Sequence, residues 1–187
     1  MKNTSISLSK RLLINKSKSG RYQTPNCIDK LLRYIARENG TSKDDLICCG
    51  SIGATAFTDI SYTIQQFKYV QTYYKRNGNF GRYMDHEIYS FPPEIEDILK
   101  NDTNFTTNLA RKMATDFYND GFQVYYGVHK KDSHSSNIHI HFAVNTVNFI
   151  TQKKRHENYQ ATKEREERLN RIVNDSVQDY LSHISYI

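Results

Sequence analysis

The sequence of 187 residues lacks several features that define whole classes of protein. No apolar run approaches the ~18 residues that a membrane-spanning helix needs, and no hydrophobic segment typical of a secretion signal follows Met1. There is no tryptophan. The three cysteines, Cys27, Cys48 and Cys49, are odd in number and two are adjacent, which argues against a disulfide framework. We therefore expect a protein of the reducing cytoplasm that does not insert into a membrane.

Internal repeats and low-complexity segments are also absent, and the 37% of apolar and 25% of charged residues are typical of a globular protein. The hydrophobic periodicity predicts an α+β fold, in which helices flank a central, largely antiparallel sheet and a long helix ends the chain. We assign residues 1–150 to one domain and residues 151–187 to a C-terminal helix that packs on it or extends from it. The predicted strands are 46–49, 82–91, 122–129 and 138–145, and the predicted helices run between Thr24 and Gly40, over 62–76, through 109–117 and from about 160.

Charge is distributed unevenly along the chain. The formal net charge is +6, yet residues 1–37 alone hold nine Lys or Arg and a single acid, Asp29. A basic block of this kind is typical of proteins that bind the phosphate backbone of a nucleic acid. The alternative is a solvated basic tail without a ligand.

The strongest local signal is the histidine-rich strand 138–145. Because side chains alternate along a strand, His139 and His141 point to the same side, close enough to share one metal ion. Either His129 or His134 can supply a third nitrogen. Three neutral imidazoles leave a divalent ion its full charge and open positions for substrate, although they do not identify the metal. The alternative is a set of polar histidines on an exposed strand face.

Tyrosine is the second signal, with 14 residues in the chain. A phenol hydroxyl can attack phosphorus and keep the bond energy in a phosphotyrosine linkage. Tyr34 lies on the predicted first helix, for which Thr24 is the expected N-cap, about 100° around the helix from its apolar stripe and within the basic block. It is the best-placed candidate nucleophile, and a packing role at the edge of the core is the alternative.

These motifs together resemble the relaxases, the conjugative DNA nickases of the HUH endonuclease superfamily, and most of all their P-type mobilisation (MOBP) group. The resemblance covers about residues 24–150, nearly the whole of a relaxase domain. The matching residues are Tyr34 in its helix, Ser90 of the Ser-Phe pair that ends a strand, and His129, His139 and His141.

The resemblance implies a role for each of these residues. Tyr34 would be the nucleophile, Ser90 would contact DNA near the cut site, and the histidines would hold Mg²⁺ or Mn²⁺. The interval of ten residues between His129 and the histidine pair is longer than in most of the family. We favour His129 as the third ligand because a strand end is better fixed than a loop, while His134 stays open and Asp132 is the candidate proton relay. Asp85 and His86 are weaker candidates for orienting a group or accepting a proton.

The implied function is a site- and strand-specific nickase that acts on single-stranded DNA at a transfer origin and forms a 5′-phosphotyrosine intermediate, with accessory mobilisation proteins as further partners. The residues expected to contact DNA are Lys30, Arg33, Arg37, Ser90, Lys153, Lys154 and Arg155.

Two alternatives stay open. A replication initiator or transposase of the same superfamily would carry its tyrosine after the histidine pair, which nominates Tyr159, since Tyr180 falls in the apolar stripe of the last helix. A non-catalytic module that binds single-stranded nucleic acid belongs to a different class of function.

Overall fold

The computed structural model describes residues 10–13, 22–38, 43–55, 59–74, 81–130, 137–156 and 158–184. Within these ranges a five-stranded antiparallel sheet lies between two layers of helices, which confirms the predicted fold class. The strands are β1 (Lys10–Leu13), β2 (Leu46–Ile52), β3 (Met84–Ser90), β4 (Val124–His129) and β5 (His139–Asn145). The helices are α1 (Asn26–Ile35), α2 (Ile60–Tyr74), α3 (Glu96–Asn101), α4 (Thr103–Asn119) and α5 (Tyr159–Ile184).

The strand order is β1-β3-β5-β4-β2, and every neighbouring pair is antiparallel. The histidine-rich strand β5 is therefore the central strand, paired with β3 on one side and β4 on the other. The predicted hairpin of β4 and β5 is confirmed by their continuous pairing from Val124 opposite Val144 to His129 opposite His139. Strand β1 had no counterpart among the predicted strands, because its four residues acquire strand structure by pairing with β3.

One face of the sheet is covered by α4 and α5. Apolar side chains of both helices, including Met113, Phe117 and Val173, pack on Ile140 and Phe142 of β5 and close the larger hydrophobic core. Helix α4 begins after Asp102, whose carboxylate accepts a hydrogen bond from the backbone N–H of Phe105 at 2.8 Å.

The opposite face is covered by α1 and α2. The stripe Ile28, Leu31, Leu32 and Ile35 of α1 is buried, as its spacing predicts, and packs with Phe67 of α2 and residues of the sheet in a second, smaller core. All seven residues of β5 are buried, because α1 lies over its histidine face, and this excludes the alternative of polar histidines on an exposed strand face.

Several predicted element boundaries also differ from the structure; the first helix, for example, ends at Ile35 and not at Gly40. Pro25, and not Thr24, occupies the N-cap position of α1, and no side chain caps this end. The strand expected from residue 122 begins at Val124, while Phe122 packs into the larger core from the preceding loop. None of the described helices combines the length and the apolar character that crossing a membrane requires.

Candidate active site and metal centre

Three histidines meet on the face of the sheet that α1 covers. His129 ends β4, and His139 and His141 alternate with apolar residues along the central strand β5, which places all three side chains on one face. All three are buried, and one nitrogen of each lies within 4.8 Å of the others. This arrangement can hold one metal ion. His134, the other candidate for the third ligand, and Asp132, the candidate proton relay, lie outside the described residues.

Each of these histidines is oriented by a contact of its other ring nitrogen. Nε2 of His129 lies 2.8 Å from the carbonyl oxygen of Ile35, and Nδ1 of His139 lies 3.1 Å from that of Asn137. Because a carbonyl oxygen only accepts, both of these nitrogens donate an N–H. The lone pair of each ring is then on the opposite nitrogen, which is the tautomer that a metal ligand requires.

His141 is fixed by another histidine. Its Nδ1 lies 2.8 Å from Nε2 of His86, and Nδ1 of His86 lies 3.0 Å from the hydroxyl of Tyr22. The remaining nitrogen of His141, Nε2, is buried and has no hydrogen-bond partner among the described residues. A buried polar atom without a partner is costly, and a bound metal ion would satisfy it. The three imidazoles therefore fit a metal site by their chemistry as well as their spacing.

The electrostatic environment keeps His141 neutral. Burial lowers its pKa well below the usual range, and the neighbouring His86, His129 and His139 lower it further, as does Arg37. Only the neutral imidazole can ligate a metal, so the ring is held in its ligating form.

Tyr34 of α1 stands beside the cluster. Its ring centroid lies 5.6 Å from that of His141, 6.1 Å from that of His86 and 6.4 Å from that of His129, in each case edge to face. With 41% of its surface exposed, the residue is open to solvent as well as to the histidines. A phosphate bound at the metal centre would therefore also be within reach of the Tyr34 side chain.

Gly127 of β4 allows α1 to approach this closely. A methyl group added at Gly127 would lie 2.7 Å from Cγ2 of Ile35 and 2.9 Å from its carbonyl oxygen. The last turn of α1 therefore rests directly on the β4 backbone, and the same carbonyl receives the N–H of His129. One contact thus positions both the helix that carries Tyr34 and one of the three histidines.

Arg37 lies just after the end of α1, beside Tyr34. Its φ of 57° is in the left-handed region, and the backbone N–H of Glu38 bonds the carbonyl of Arg33 at 3.0 Å, which ends the helix. A non-glycine residue in this conformation is uncommon and costs free energy. The turn buries Arg37 and brings its guanidinium carbon to 5.3 Å from the centroid of the Tyr34 ring. A permanent positive charge therefore accompanies the histidines.

Comparison with known proteins agrees with this geometry. The sequence matches the family described as "Relaxase: MobA/VirD2-like, nuclease domain" over residues 34–176. The chain belongs to the MobA/VirD2-like relaxases. Its fold resembles the solved "Conjugative Relaxase TrwC in complex with OriT DNA, metal-bound structure", with a TM-score of 0.50, 10% sequence identity and coverage of 94% of this chain and 69% of that chain. At this identity the likeness concerns the fold alone. No curated protein matches the sequence.

The other residues predicted to serve this relaxase differ in burial and in their position relative to the histidine cluster. Ser90, which is half-buried, pairs with His139 across β3 and β5 and so lies next to the histidine cluster. Lys30 is exposed on α1. Arg33 is half-buried and forms ion pairs with Asp29 at 3.3 Å and Glu38 at 2.5 Å, so part of its charge is already balanced.

The burial of Arg155 in this relaxase argues against the predicted contact with DNA. Arg155 is buried on the opposite face of the sheet, where its guanidinium donates to Asp85 at 2.8 Å and to Glu87 at 2.6 Å. Asp85 also pairs with Arg82 and lies on this same face, away from the histidines. Sequence alone could not distinguish Arg155 from its exposed neighbour Lys153, because its partners are about 70 residues away.

The remaining candidates differ in exposure. Lys154 is half-buried, with its ammonium nitrogen 5.8 Å from the ring centroid of Tyr83. Tyr159 begins α5, in the helical layer opposite α1, and is exposed. Tyr180 packs against Phe105, with ring centroids 4.6 Å apart, which indicates a structural role. Tyr34 is therefore the candidate nucleophile that the fold of this relaxase brings to the histidines.

Proposed function

We propose that this relaxase cuts one strand of DNA at a specific site by direct attack of Tyr34 on a backbone phosphate. The observation that carries the proposal is the convergence of the Tyr34 ring, 5.6 Å from that of His141, with three histidines able to share one metal ion. The finer assignments, a P-type relaxase that acts at a transfer origin in the cytoplasm with accessory mobilisation proteins, are part of the same proposal.

The reaction is a transesterification. A bond forms between the Tyr34 oxygen and phosphorus, while the bond from phosphorus to the 3′ oxygen of the preceding nucleotide breaks. The phenol loses its proton, and the departing oxygen gains one and becomes a free 3′-hydroxyl. One phosphate ester replaces another, so the strand end stays activated as 5′-phosphotyrosine and can later be rejoined. Asp132 is proposed to relay the proton.

His129, His139 and His141 would hold the metal cofactor. An all-imidazole ligand set suits transition-metal ions better than Mg²⁺, which prefers oxygen ligands, so Mn²⁺ is the better fit of the two predicted ions. The ion would draw charge from the non-bridging oxygens of the scissile phosphate. His86 would hold His141 in its ligating orientation through the 2.8 Å contact between their rings.

Basic residues around Tyr34 are proposed to hold the DNA. Arg37, next to the Tyr34 ring, would bind the scissile phosphate, and Lys30 would contact the backbone nearby, with Arg33 between them. Lys153 and Lys154, between β5 and α5, would also contact the DNA, and Ser90 would contact the strand close to the cut. Because these contacts neutralise phosphates, the affinity for DNA should fall steeply as salt increases.

The decisive experiment compares Tyr34→Phe with Tyr159→Phe. Each variant is incubated with single-stranded DNA that contains the transfer origin and with Mn²⁺, and protease-sensitive adducts are separated on a denaturing gel. We expect Tyr34→Phe to form no adduct while it binds the DNA normally, because it lacks only the attacking oxygen. Tyr159→Phe should form adducts at the wild-type yield.

Two outcomes would overturn the assignment. Adducts that persist in Tyr34→Phe and vanish in Tyr159→Phe would identify a tyrosine after the histidine pair, as in an initiator or transposase. DNA binding without cleavage by the wild-type protein in any divalent metal would identify a non-catalytic binding module. Mass spectrometry of the trapped peptide identifies the attached tyrosine directly.

A further inference from the structure

Helix α2 presents a row of exposed tyrosines that the nicking reaction does not use. Tyr62, Tyr69 and Tyr73 are 55%, 65% and 64% exposed. Their spacing of seven and then four residues places them on one side of the helix. The rings of Tyr69 and Tyr73 are stacked, with centroids 5.7 Å apart and an angle of 20° between their planes. We call these three residues the tyrosine row.

The composition around the tyrosine row is unusual for a surface helix. No Asp or Glu occurs between Asp59 and Asp85, and the only charged residue within α2 is Lys68. Two further basic residues, Lys75 and Arg76, follow the helix in the sequence. A solvent-facing helix normally carries charges of both signs on its outer side. An aromatic surface with only positive charge suits an anionic partner with flat apolar groups.

A hollow beside the row has the size of a small ligand site. It measures about 420 Å³ and lies between Tyr62 and Tyr69, with the amide side chains of Gln65, Gln66 and Gln123 on its walls. The amides of Gln66 and Gln123 are hydrogen-bonded to the backbone of Thr55 and Gly53, which fixes these walls of the hollow.

The tyrosine row also continues from the proposed catalytic site. A guanidinium nitrogen of Arg33, the residue before Tyr34, donates to the hydroxyl of Ser61 in the first turn of α2 at 3.0 Å. Tyr62 follows Ser61 directly. From Tyr62 to Tyr73 the helix extends roughly 16 Å at ~1.5 Å per residue. A strand bound at Tyr34 and laid along α2 would therefore meet the row over a few nucleotides.

We propose that the tyrosine row is a stacking platform for the bases of the single-stranded DNA that enters or leaves the nicking site. This inference rests on the proposed function only for the position of the strand at Tyr34. Aromatic stacking accepts any base, so the platform adds affinity and holds the strand extended without reading its sequence.

The test measures the binding of fluorescein-labelled oligothymidylates by anisotropy, with one probe of about 16 and one of about 4 nucleotides, the range of site sizes for single-strand binding folds. The double variant Y69A/Y73A should bind the longer probe at least about tenfold more weakly than the wild type. Y69F/Y73F should keep the affinity, because stacking needs the ring and not the hydroxyl. Tyr159→Ala, which removes an exposed tyrosine from the opposite layer, is the matched control and should bind normally.

A second readout follows tyrosine itself. Because the protein has no tryptophan, its intrinsic fluorescence comes from tyrosine. Stacking on bases should quench this emission in the wild type and much less in Y69A/Y73A. Circular dichroism checks that the variants are folded, which is expected because both side chains are exposed.

Three results would overturn the proposal. Equal affinity of Y69A/Y73A and wild type for the longer probe would exclude stacking, and equal losses in the Ala and Phe variants would indicate hydroxyl hydrogen bonds. A wild-type dimer in sedimentation that the Ala variant abolishes would make the row a contact with a second copy. Adduct formation tests the nickase proposal independently of the stacking platform. Y69A/Y73A should still form the Tyr34 adduct when the DNA is saturating, whereas Tyr34→Phe should not.

Discussion

The two faces of the central sheet differ in chemistry although the same strands supply both. In β3, His86 points to the α1 face and contacts His141, whereas its neighbours Asp85 and Glu87 point to the α4 face and bind Arg155. On the α1 face, nitrogen atoms of three histidines meet, and no carboxylate among the described residues joins their cluster. On the α4 face, buried carboxylates are paired with guanidinium groups inside an apolar core.

This difference assigns the reactive groups to the α1 face and the stabilising ion pairs to the α4 face. The histidine nitrogens can bind a metal ion, and the positive charge of the neighbouring arginine favours a phosphate. A paired buried carboxylate is already neutralised, and it holds chain segments together. The faces should therefore respond differently to substitution: changes on the α1 face should affect nicking, and changes on the α4 face should affect the free energy of unfolding.

The largest effect is expected from His141→Ala. Loss of a metal ligand should remove several kcal/mol of charge stabilisation, which corresponds to a roughly thousandfold slower nicking rate. Titration calorimetry with Mn²⁺ should show no binding at this site, and a thermal melt checks that the variant is folded. His183→Ala removes an exposed histidine from α5 and serves as control. Nicking at the wild-type rate by His141→Ala would contradict the proposed role of the cluster.

The second prediction concerns the α4 face. Arg155→Ala removes the guanidinium that pairs with the buried Glu87 and leaves Asp85 with Arg82 as its ion-pair partner. Breaking a buried pair of this kind typically costs about 3–5 kcal/mol of unfolding free energy. Urea denaturation should show this loss, whereas Lys153→Ala, at an exposed neighbour, should change stability by less than about 0.5 kcal/mol. Weakened DNA binding by Arg155→Ala with unchanged stability would restore the earlier expectation of a DNA contact.

Gly127→Ala tests the contact that joins α1 to the sheet. The added methyl group would press on Ile35, so we expect a loss of about 1–3 kcal/mol in stability together with slower nicking, because α1 and Tyr34 must move away from the histidines. Gly81→Ala is the control: Gly81 has a φ of 65° but open space around it, so that variant should lose stability and keep its nicking rate. Equal nicking by both variants would show that the α1 position is not critical.

The smallest expected effect is a pH dependence of the unfolding free energy, caused by two buried groups on the α4 face. Burial raises the pKa of the Cys48 thiol to about 11 and that of the Tyr126 hydroxyl to about 12. In the unfolded chain both groups lose their protons at their ordinary, lower pKa values. Their contribution to the unfolding free energy is therefore complete below about pH 9. It is lost as the pH rises through the raised pKa values of the folded protein. Cys48→Ala should reduce the alkaline loss by on the order of 1 kcal/mol in urea titrations at pH 8 and pH 11. An identical alkaline loss in variant and wild type would contradict this account.

Local pattern accounts for the part of the fold that sequence could predict. The stripe of α1, the alternation that puts His139 and His141 on one face, and the short link between β4 and β5 all concern residues close in sequence. The prediction of a relaxase is confirmed by the family to which the chain belongs.

Distant contacts explain what sequence could not predict. Strand β1 becomes a strand by pairing with β3, Arg155 is buried by carboxylates of β3, and His86 reaches His141 from the neighbouring strand, 55 residues away. No local pattern distinguishes these residues from exposed ones of the same type. Their partners are selected by strand order and register.

The sequence by itself determined which chemical groups are present and how each faces within its own element: two imidazoles on one side of a strand and a phenol at the edge of a helix stripe. Only the tertiary structure decided that these groups meet. Helix α1 covers the central strand, and Gly127 of β4 lets the end of α1 rest on the β4 backbone. The carbonyl oxygen of Ile35 in that helix then orients His129, the third imidazole. Side-chain direction is a property of a few consecutive residues, whereas a distance between elements depends on the packing of the whole chain.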